Sequence, residues 1–278
     1  MEYTLRPLTP EFLSEGLRVE KAAMGDLCYL ADVYEYYLTT VGEMTAVFAG
    51  DRLVGIGKLT VLWDGSGWLE TLRVEPDWQR KGVGTAIYRR YMEQAEQLRL
   101  PRLAMYTGAA NIPSAGLARC FGLERTSIFR EYALPTAALP ETPADGRGFA
   151  PVPEEEAFAV LSPYCQQYNG SFVMNRTYYR MNEGNCRGLA AAGRLWRDKE
   201  SGTVLIAGAR FQSDKGLHIG LLEGDRAHGL AFARLLAAQR GAGRLVCNFA
   251  VENPSLEAFL QQNGFTAGND LMVMEVTR

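Results

Sequence analysis

Val74-Glu75-Pro76-Asp77-Trp78-Gln79-Arg80-Lys81-Gly82-Val83-Gly84-Thr85 joins a strand-like run, Trp68 to Val74, to an amphipathic helix that begins near Lys81. Pro76 ends the strand, because it lacks an N–H for the ladder and restricts its predecessor to extended geometry. Gly82 and Gly84 remove two Cβ atoms at the start of the helix, so an outside group can come close to the backbone. The first turn of a helix carries orphan N–H groups and a partial positive charge, which together suit a phosphate. Arg80 and Lys81 add charge beside it. The stretch reads as an anion site.

Two common phosphate motifs are excluded. A dinucleotide fold wants Gly-x-Gly-x-x-Gly, but the third glycine position is Ile87. A P-loop needs Gly-Lys-Ser or Gly-Lys-Thr, which is absent. A second stretch follows the helix: Arg102 to Thr107 reads as a strand, then Ala110-Asn111-Ile112-Pro113-Ser114 opens a short helix that ends at Phe121-Gly122-Leu123. Pro113 suits a first helical turn and Gly122 a left-handed C-cap.

The order Val-x-Pro-x-x-Gln-Arg-Lys-Gly-x-Gly, followed by strand, Asn, short helix and Gly, resembles the GNAT superfamily of acyl-CoA-dependent N-acetyltransferases over residues 1 to about 134. The resemblance implies that acetyl-CoA is the co-substrate. It also implies that Gln79, Arg80, Lys81, Gly82, Val83, Gly84 and Thr85 hold its pyrophosphate, and that Asn111 and Ser114 lie along its pantetheine or phosphate region. Leu72, Arg73 and Val74 would offer backbone to pantetheine, with the Val74 N–H as donor to the thioester carbonyl. In that fold the Trp68 and Arg102 strands splay apart and pantetheine lies between them.

Composition sets the outer bounds. At 278 residues two domains are expected, with ordinary apolar and charged fractions. A net charge of −3 gives no global basic field for nucleic acid. No apolar run reaches the length of a membrane span, the polar start Met1-Glu2-Tyr3-Thr4-Leu5-Arg6 is not a signal peptide, and a cytoplasmic protein is expected. Cys28, Cys120, Cys165, Cys186 and Cys247 form no Cys-x-x-Cys pair and read as reduced thiols. With His218 and His228 the only histidines, no metal site is expected.

The chain repeats itself. Leu134 to Pro153 holds five prolines and two glycines, a linker composition expected to run over the surface and to join neither sheet. Beyond it, Asn253 and Gly264 lie 142 positions after Asn111 and Gly122 (253 − 111; 264 − 122). Leu217 to Leu222 reads as a strand and Ala227 to Gln239 as a helix. The organisation is therefore an acetyl-CoA-binding domain over 1–134, a linker over 135–153 and a degenerate copy over 154–278, each α/β with a mixed sheet. Gly224-Asp225-Arg226-Ala227-His228-Gly229-Leu230 stands where the first copy has Gln79 to Gly84, with one matching glycine and with Glu223 and Asp225 opposing an anion. In the first half, period and punctuation give a strand at Tyr3 to Leu8, helices within Pro10 to Leu38 and a hairpin about Gly50-Asp51. The helix from Lys81 to Leu98 and a final strand, Ser127 to Leu134, complete it.

Transfer to an amine needs the thioester carbonyl set against a neutral amine, a route for a proton and an oxyanion donor. Glu70 lies four residues before Val74, on the face assigned to Trp68 and Leu72, and is the candidate general base, directly or through water. Tyr106, five before Asn111, is a candidate to orient substrate or pass a proton. Relatives carry a tyrosine seven after the motif Asn that protonates the leaving thiolate. Here that position is Ala118, and in the second half Leu260, so Tyr29, Tyr34, Tyr36 and Tyr37 become candidates. The expected activity is acetyl transfer from acetyl-CoA to a primary amine, on a small molecule such as an antibiotic, polyamine or amino acid, or on a peptide N-terminus. The alternatives are a non-catalytic acyl-CoA-binding or regulatory protein, an oxygen acceptor and a longer acyl donor.

Overall fold

The computed structural model describes residues 2–138 and 147–278. The chain forms two compact units, one of Met1–Thr126 with Met274–Arg278, the other of Ser127–Val273. Each is a mixed α/β fold.

The first unit opens with β1 (Thr4–Pro7), α1 (Leu13–Met24) and α2 (Leu30–Thr39). The hairpin β2 (Gly42–Ala49) and β3 (Arg52–Val61) follows, and then β4 (Gly67–Val74), α3 (Val83–Gln97), β5 (Arg102–Gly108), α4 (Ile112–Arg119) and the start of β6 (Glu124–Pro135). The sheet order is β1-β2-β3-β4-β5, antiparallel except for β4 with β5. The odd and even positions of β3 face different helices, as strand alternation requires. A Cβ at Gly55 would meet Val83 at 2.6 Å, and one at Gly57 would collide with the Tyr91 hydroxyl, so these two glycines let α3 lie close. On the other face the buried Lys58 donates to the carbonyls of Tyr37 and Thr40 at the end of α2, 2.8 and 3.2 Å away.

Two irregularities position the site. The register of β3 with β4 passes from Ile56↔Arg73 to Lys58↔Glu70, so Thr71 and Leu72 form a bulge opposite Gly57. Thr71 sits there at φ 56°, a region that β-branched residues avoid. This corrects the expected alternation: Leu72 is not on one continuous face with Trp68 and Glu70. Secondly, β4 pairs β5 only from Gly67↔Leu103 to Leu69↔Met105, and beyond Leu69 the two strands part.

The second unit takes most of β6, then β7 (Phe149–Pro151), α5 (Ala157–Leu161), β8 (Ser171–Met174), β9 (Thr177–Arg180), α6 (Glu183–Ala191) and β10 (Leu195–Asp198). β11 (Val204–Gly208), β12 (Leu217–Glu223), α7 (Arg226–Gln239), β13 (Arg244–Ala250), α8 (Pro254–Gln262) and the part of β14 (Thr266–Thr277) up to Val273 complete it. Its sheet runs β7-β10-β11-β12-β13-β6, with β8 and β9 a separate hairpin. β7 with β10 to β13 repeats β1 to β5 in order and direction, including a parallel pair that stops after Ile219↔Cys247 and a bulge on the preceding strand pair.

Two expectations about the linker are corrected. Residues 149–151 join a sheet, pairing with Asp198, Arg197 and Trp196. Proline is tolerated there because β7 is an edge strand. At the other end β6 runs through Pro135 against β13, and the compact units divide at Thr126, not at 134. Pro140 and Pro143 lie outside the described residues. Residues 274–278 belong to the first unit, where Glu275 pairs with Arg102 at 2.8 Å and the Arg278 N–H donates to Pro101 O at 2.9 Å.

Candidate functional site

The N-terminus of α3 is open. Its N-cap, Gly82, has φ 93° and offers no side chain to the first N–H groups. Arg80, two residues earlier, is also left-handed at φ 58°. Left-handed residues next to a helix start turn successive N–H groups inward, a concavity suited to an anion. The Arg80 and Lys81 side chains are exposed, with the Lys81 ammonium 5.5 Å from the Trp78 ring centre. The Lys81 carbonyl accepts from the Tyr3 hydroxyl at 2.8 Å, which holds the loop down. Gly84 packs beside Leu117, Thr85 is half-buried, and the Val83 side chain is buried in the core, leaving only its backbone to a ligand. Gln79 serves the loop as well: its amide donates to the Val74 carbonyl at 3.2 Å.

The Val74 N–H turns away from β3. The Glu75 N–H goes to Val54 O on β3 at 3.0 Å, so the preceding N–H, that of Val74, turns to the opposite edge. That edge is the one β5 has left. The Asn111 side chain caps α4, accepting from the Ser114 N–H at 3.2 Å, which commits its carbonyl oxygen to the fold.

Glu70 is half-buried and accepts from Thr60 at 2.6 Å and from the Tyr37 hydroxyl at 3.1 Å. Tyr106 stacks on the buried Trp68, ring centres 6.3 Å apart. Of the candidate tyrosines, Tyr34 is committed to the Thr9 carbonyl at 2.6 Å, and Tyr36 packs on Tyr37. Tyr29 and Tyr37 reach the bulge. The Tyr29 hydroxyl lies 3.0 Å from Thr71 Oγ1 and accepts from Arg73 at 3.2 Å, and the Thr71 hydroxyl donates to Tyr37 at 3.2 Å. Burial raises the Tyr29 phenol above its ordinary range, against the pull of the Arg73 guanidinium. Ala118 is fully buried. Thr71 was missed from sequence because a bulge leaves no mark on residue alternation.

The second unit fills the same places with its own groups. Gly55↔Val74 in β3–β4 corresponds to Leu205↔Leu222 in β11–β12. The Leu222 N–H, the counterpart of the Val74 N–H, donates to the Tyr168 hydroxyl at 3.0 Å, and that hydroxyl donates to Glu223 at 2.8 Å. At the head of α7 the Asp225 carboxylate caps the His228 N–H at 3.0 Å. The sequence alignment of Gly224–Leu230 with the phosphate loop is corrected. Eight residues separate β4 from α3 (75 to 82), but only Gly224 and Asp225 separate β12 from α7, and Gly229 lies inside the helix. A Cβ on Gly229 would stand 2.5 Å from the Leu222 side chain, so that glycine serves packing.

Residues 12–123 match the model of the acetyltransferase (GNAT) family. The curated relatives include an uncharacterised N-acetyltransferase of Escherichia coli, YedL, 36% identical over 78 residues, which are 28% of this chain and 46% of that protein. The chain spans about half the length of the curated relatives it matches. Among solved structures, a GCN5-related N-acetyltransferase from Sphaerobacter thermophilus is similar over 99% of this chain and 95% of its own, at TM-score 0.66 and 14% identity. A tandem GNAT protein of the clavulanic acid biosynthesis pathway is similar over 99% and 98%, at 0.61 and 16%. These likenesses support the GNAT acetyltransferase fold and, through the tandem relative, its two-copy form. Among the described residues no group of His, Cys, Asp and Glu could hold a metal ion, and no helix is long and apolar enough to cross a membrane. All five cysteines are free.

Proposed function

We propose that the first unit transfers an acetyl group from acetyl-CoA to a primary amine, on a small molecule or a peptide N-terminus, and that the second unit is a degenerate copy without a co-substrate site. One observation carries the reading. The head of α3 has no side-chain cap and the Val74 N–H turns to the edge of β4 that β5 has left, whereas in the second unit the strands part likewise but Asp225 caps α7 and Tyr168 takes the Leu222 N–H. Acetyl-CoA supplies an activated acyl group as a thioester. Arg80, Lys81 and the backbone of Gly82 to Thr85 would hold its pyrophosphate, Leu72 and Arg73 would flank the pantetheine, and the Val74 N–H would stabilise the carbonyl oxygen as it takes on charge. Glu70 is the base that receives the amine proton. Tyr106, beside Trp68, would orient the acceptor. The buried Ala118 leaves position 118 without a proton donor, and the hydroxyl groups at the bulge supply one instead.

Calorimetry with acetyl-CoA tests the reading. One site per chain is expected, and Gly84→Trp should abolish binding, since the indole would stand where the backbone must approach the pyrophosphate. Two equivalent sites, or unchanged affinity in that variant, would refute it.

A further inference from the structure

Glu70 ends a line of hydrogen bonds that begins at the rim of the bulge. Arg73 donates to the Tyr29 hydroxyl at 3.2 Å, Tyr29 and Thr71 are 3.0 Å apart, Thr71 donates to Tyr37 at 3.2 Å, and Tyr37 donates to Glu70 at 3.1 Å. The direction of the line is fixed by counting protons. A threonine hydroxyl has one hydrogen, and here it goes to Tyr37, so Tyr29 is the donor in its contact with Thr71. Every hydrogen in the line therefore points towards the carboxylate. Tyr29 accepts from Arg73 with one lone pair and keeps the other. It is also the partly exposed member of the line, whereas Thr71 and Tyr37 are buried.

The fold holds this line deliberately in place. The fully buried Glu20 accepts from the N–H groups of Tyr29 and Leu30, at 3.3 and 2.9 Å, and so fixes Tyr29 at the head of α2. Thr71 is kept at φ 56°, a strained conformation that persists where the surroundings over-determine it. The strain turns its hydroxyl into the gap between two tyrosines.

We infer that Tyr29 is the group that touches the acceptor nitrogen, and that Thr71 and Tyr37 relay its proton to Glu70. The inference rests on the acetyl-transfer reading above. As the neutral amine attacks, its nitrogen uses its lone pair to form the C–N bond and gives an N–H proton to the Tyr29 oxygen. The Tyr29 proton passes to Thr71, that of Thr71 to Tyr37 and that of Tyr37 to the Glu70 carboxylate, which becomes neutral. When the C–S bond breaks, sulfur keeps the electron pair and takes a proton from Tyr29, and the same line runs in reverse to restore the Glu70 carboxylate. No proton is gained or lost overall. Arg73, Tyr106 and Glu70 are the titratable groups whose charge bears on Tyr29. Burial keeps its phenol protonated at rest, as a relay requires.

Tyr29→Phe, Thr71→Ala, Thr71→Ser and Glu70→Gln test this against an amine that the wild-type protein acetylates. Tyr29→Phe, Thr71→Ala and Glu70→Gln should each lower kcat by about a hundredfold or more. Acetyl-CoA affinity should stay within twofold and Tm within about 2 °C. Thr71→Ser should return kcat to within a few-fold, and the Tyr29→Phe, Glu70→Gln double variant should lose little more than either single one, as members of one unit do. If Tyr29→Phe keeps kcat within a few-fold while Glu70→Gln does not, Glu70 acts directly and the relay is overturned, with the acetyl-transfer reading intact. A second readout needs no turnover. In the free protein, the absorbance titration of Tyr29, obtained by difference from Tyr29→Phe, should move to lower pH in Glu70→Gln, because the carboxylate raises that phenol. An unmoved titration would overturn the coupling, and absence of acetyl-CoA binding would overturn the parent reading alone.

Discussion

Tyr168→Phe removes one oxygen from the second unit and should be costly. That hydroxyl accepts from the Leu222 N–H at 3.0 Å and donates to Glu223 at 2.8 Å, inside a site where Tyr168 is 2% exposed. Burial and the Glu223 charge keep the phenol well above its ordinary range, so it is neutral and holds both roles. Phenylalanine leaves a buried N–H with no partner, a loss of about 1–3 kcal/mol, and removes a bond to a carboxylate, about 1.5–3 kcal/mol. The two do not add fully, because Glu223 keeps Gln167 and Arg226, each at 2.9 Å. A net loss of about 2–3 kcal/mol follows. For a unit of this size each kcal/mol moves Tm by about 2–4 °C, so scanning calorimetry should show the transition of the second unit falling by about 4–12 °C. Acetyl-CoA stoichiometry should stay at one, since Asp225 still caps α7 and the phosphate loop is still missing. A Tm within about 2 °C of the parent would show that Tyr168 is not what satisfies β12, and the account of the closed copy would lose its main support.

Three further outcomes concern other buried groups. His218 is buried and held down to about 4 by desolvation, which outweighs the Glu131 carboxylate. Its unfolded counterpart takes up a proton near pH 6.5, so between about pH 6.5 and 4 the unfolded state binds more protons and stability should fall on acidification, by at most about 3 kcal/mol. His218→Leu should flatten that window in denaturant titrations; an unchanged slope would refute the assignment. Burial pushes Glu131 up, but the hydrogen bonds and charge of Arg176, with the Asn248 amide, together more than offset it and leave its carboxyl below the usual range, so its contribution is full above the unfolded carboxylate value and is lost only below about pH 4. Deleting residues 274–278 strips the largely buried Arg102 of its Glu275 partner, a loss of about 3 kcal/mol. The acetyl-CoA-stabilised transition should drop, and residues 1–126 without that segment should fail to fold; a stable, ligand-binding fragment would contradict the assignment of residues 274–278 to the first unit.

Much of the fold was legible because its elements are punctuated by residues with few alternatives. Gly50-Asp51 turned the hairpin where expected, and Gly122 and Gly264 followed their short helices with positive φ. What stayed hidden was exchange and bulging. The proline content of Leu134 to Pro153 argued against strands, yet an edge position excuses proline, and nothing local says that residues 274–278 belong with a unit that otherwise ends at Thr126. The bulge at Thr71 is hidden for a similar reason: strand alternation runs unbroken through the sequence, so nothing local sets the Thr71 hydroxyl apart from the carboxylate beside it.

The candidate site shows the same division between local and distant causes. The anion loop is a local device, made by left-handed residues at 80 and 82 and an uncapped helix, and six consecutive residues were enough to reveal it. The proton route is not local. It needs Glu20 to anchor Tyr29, a strained Thr71 and a tyrosine from the far turn of α2, and each of these reads alone as ordinary core. The second unit makes the converse point. Missing glycines mark its sequence, but the structural differences are additions: a carboxylate at 225 that takes the helix N–H, and a phenol at 168 that takes the strand N–H. A binding site built from unpaired backbone donors can be closed by supplying the missing partners, and doing so also removes the instability of leaving them unpaired. On this argument, reopening the second unit would need both partners removed and a phosphate loop inserted, and each removal alone would cost stability and restore no binding.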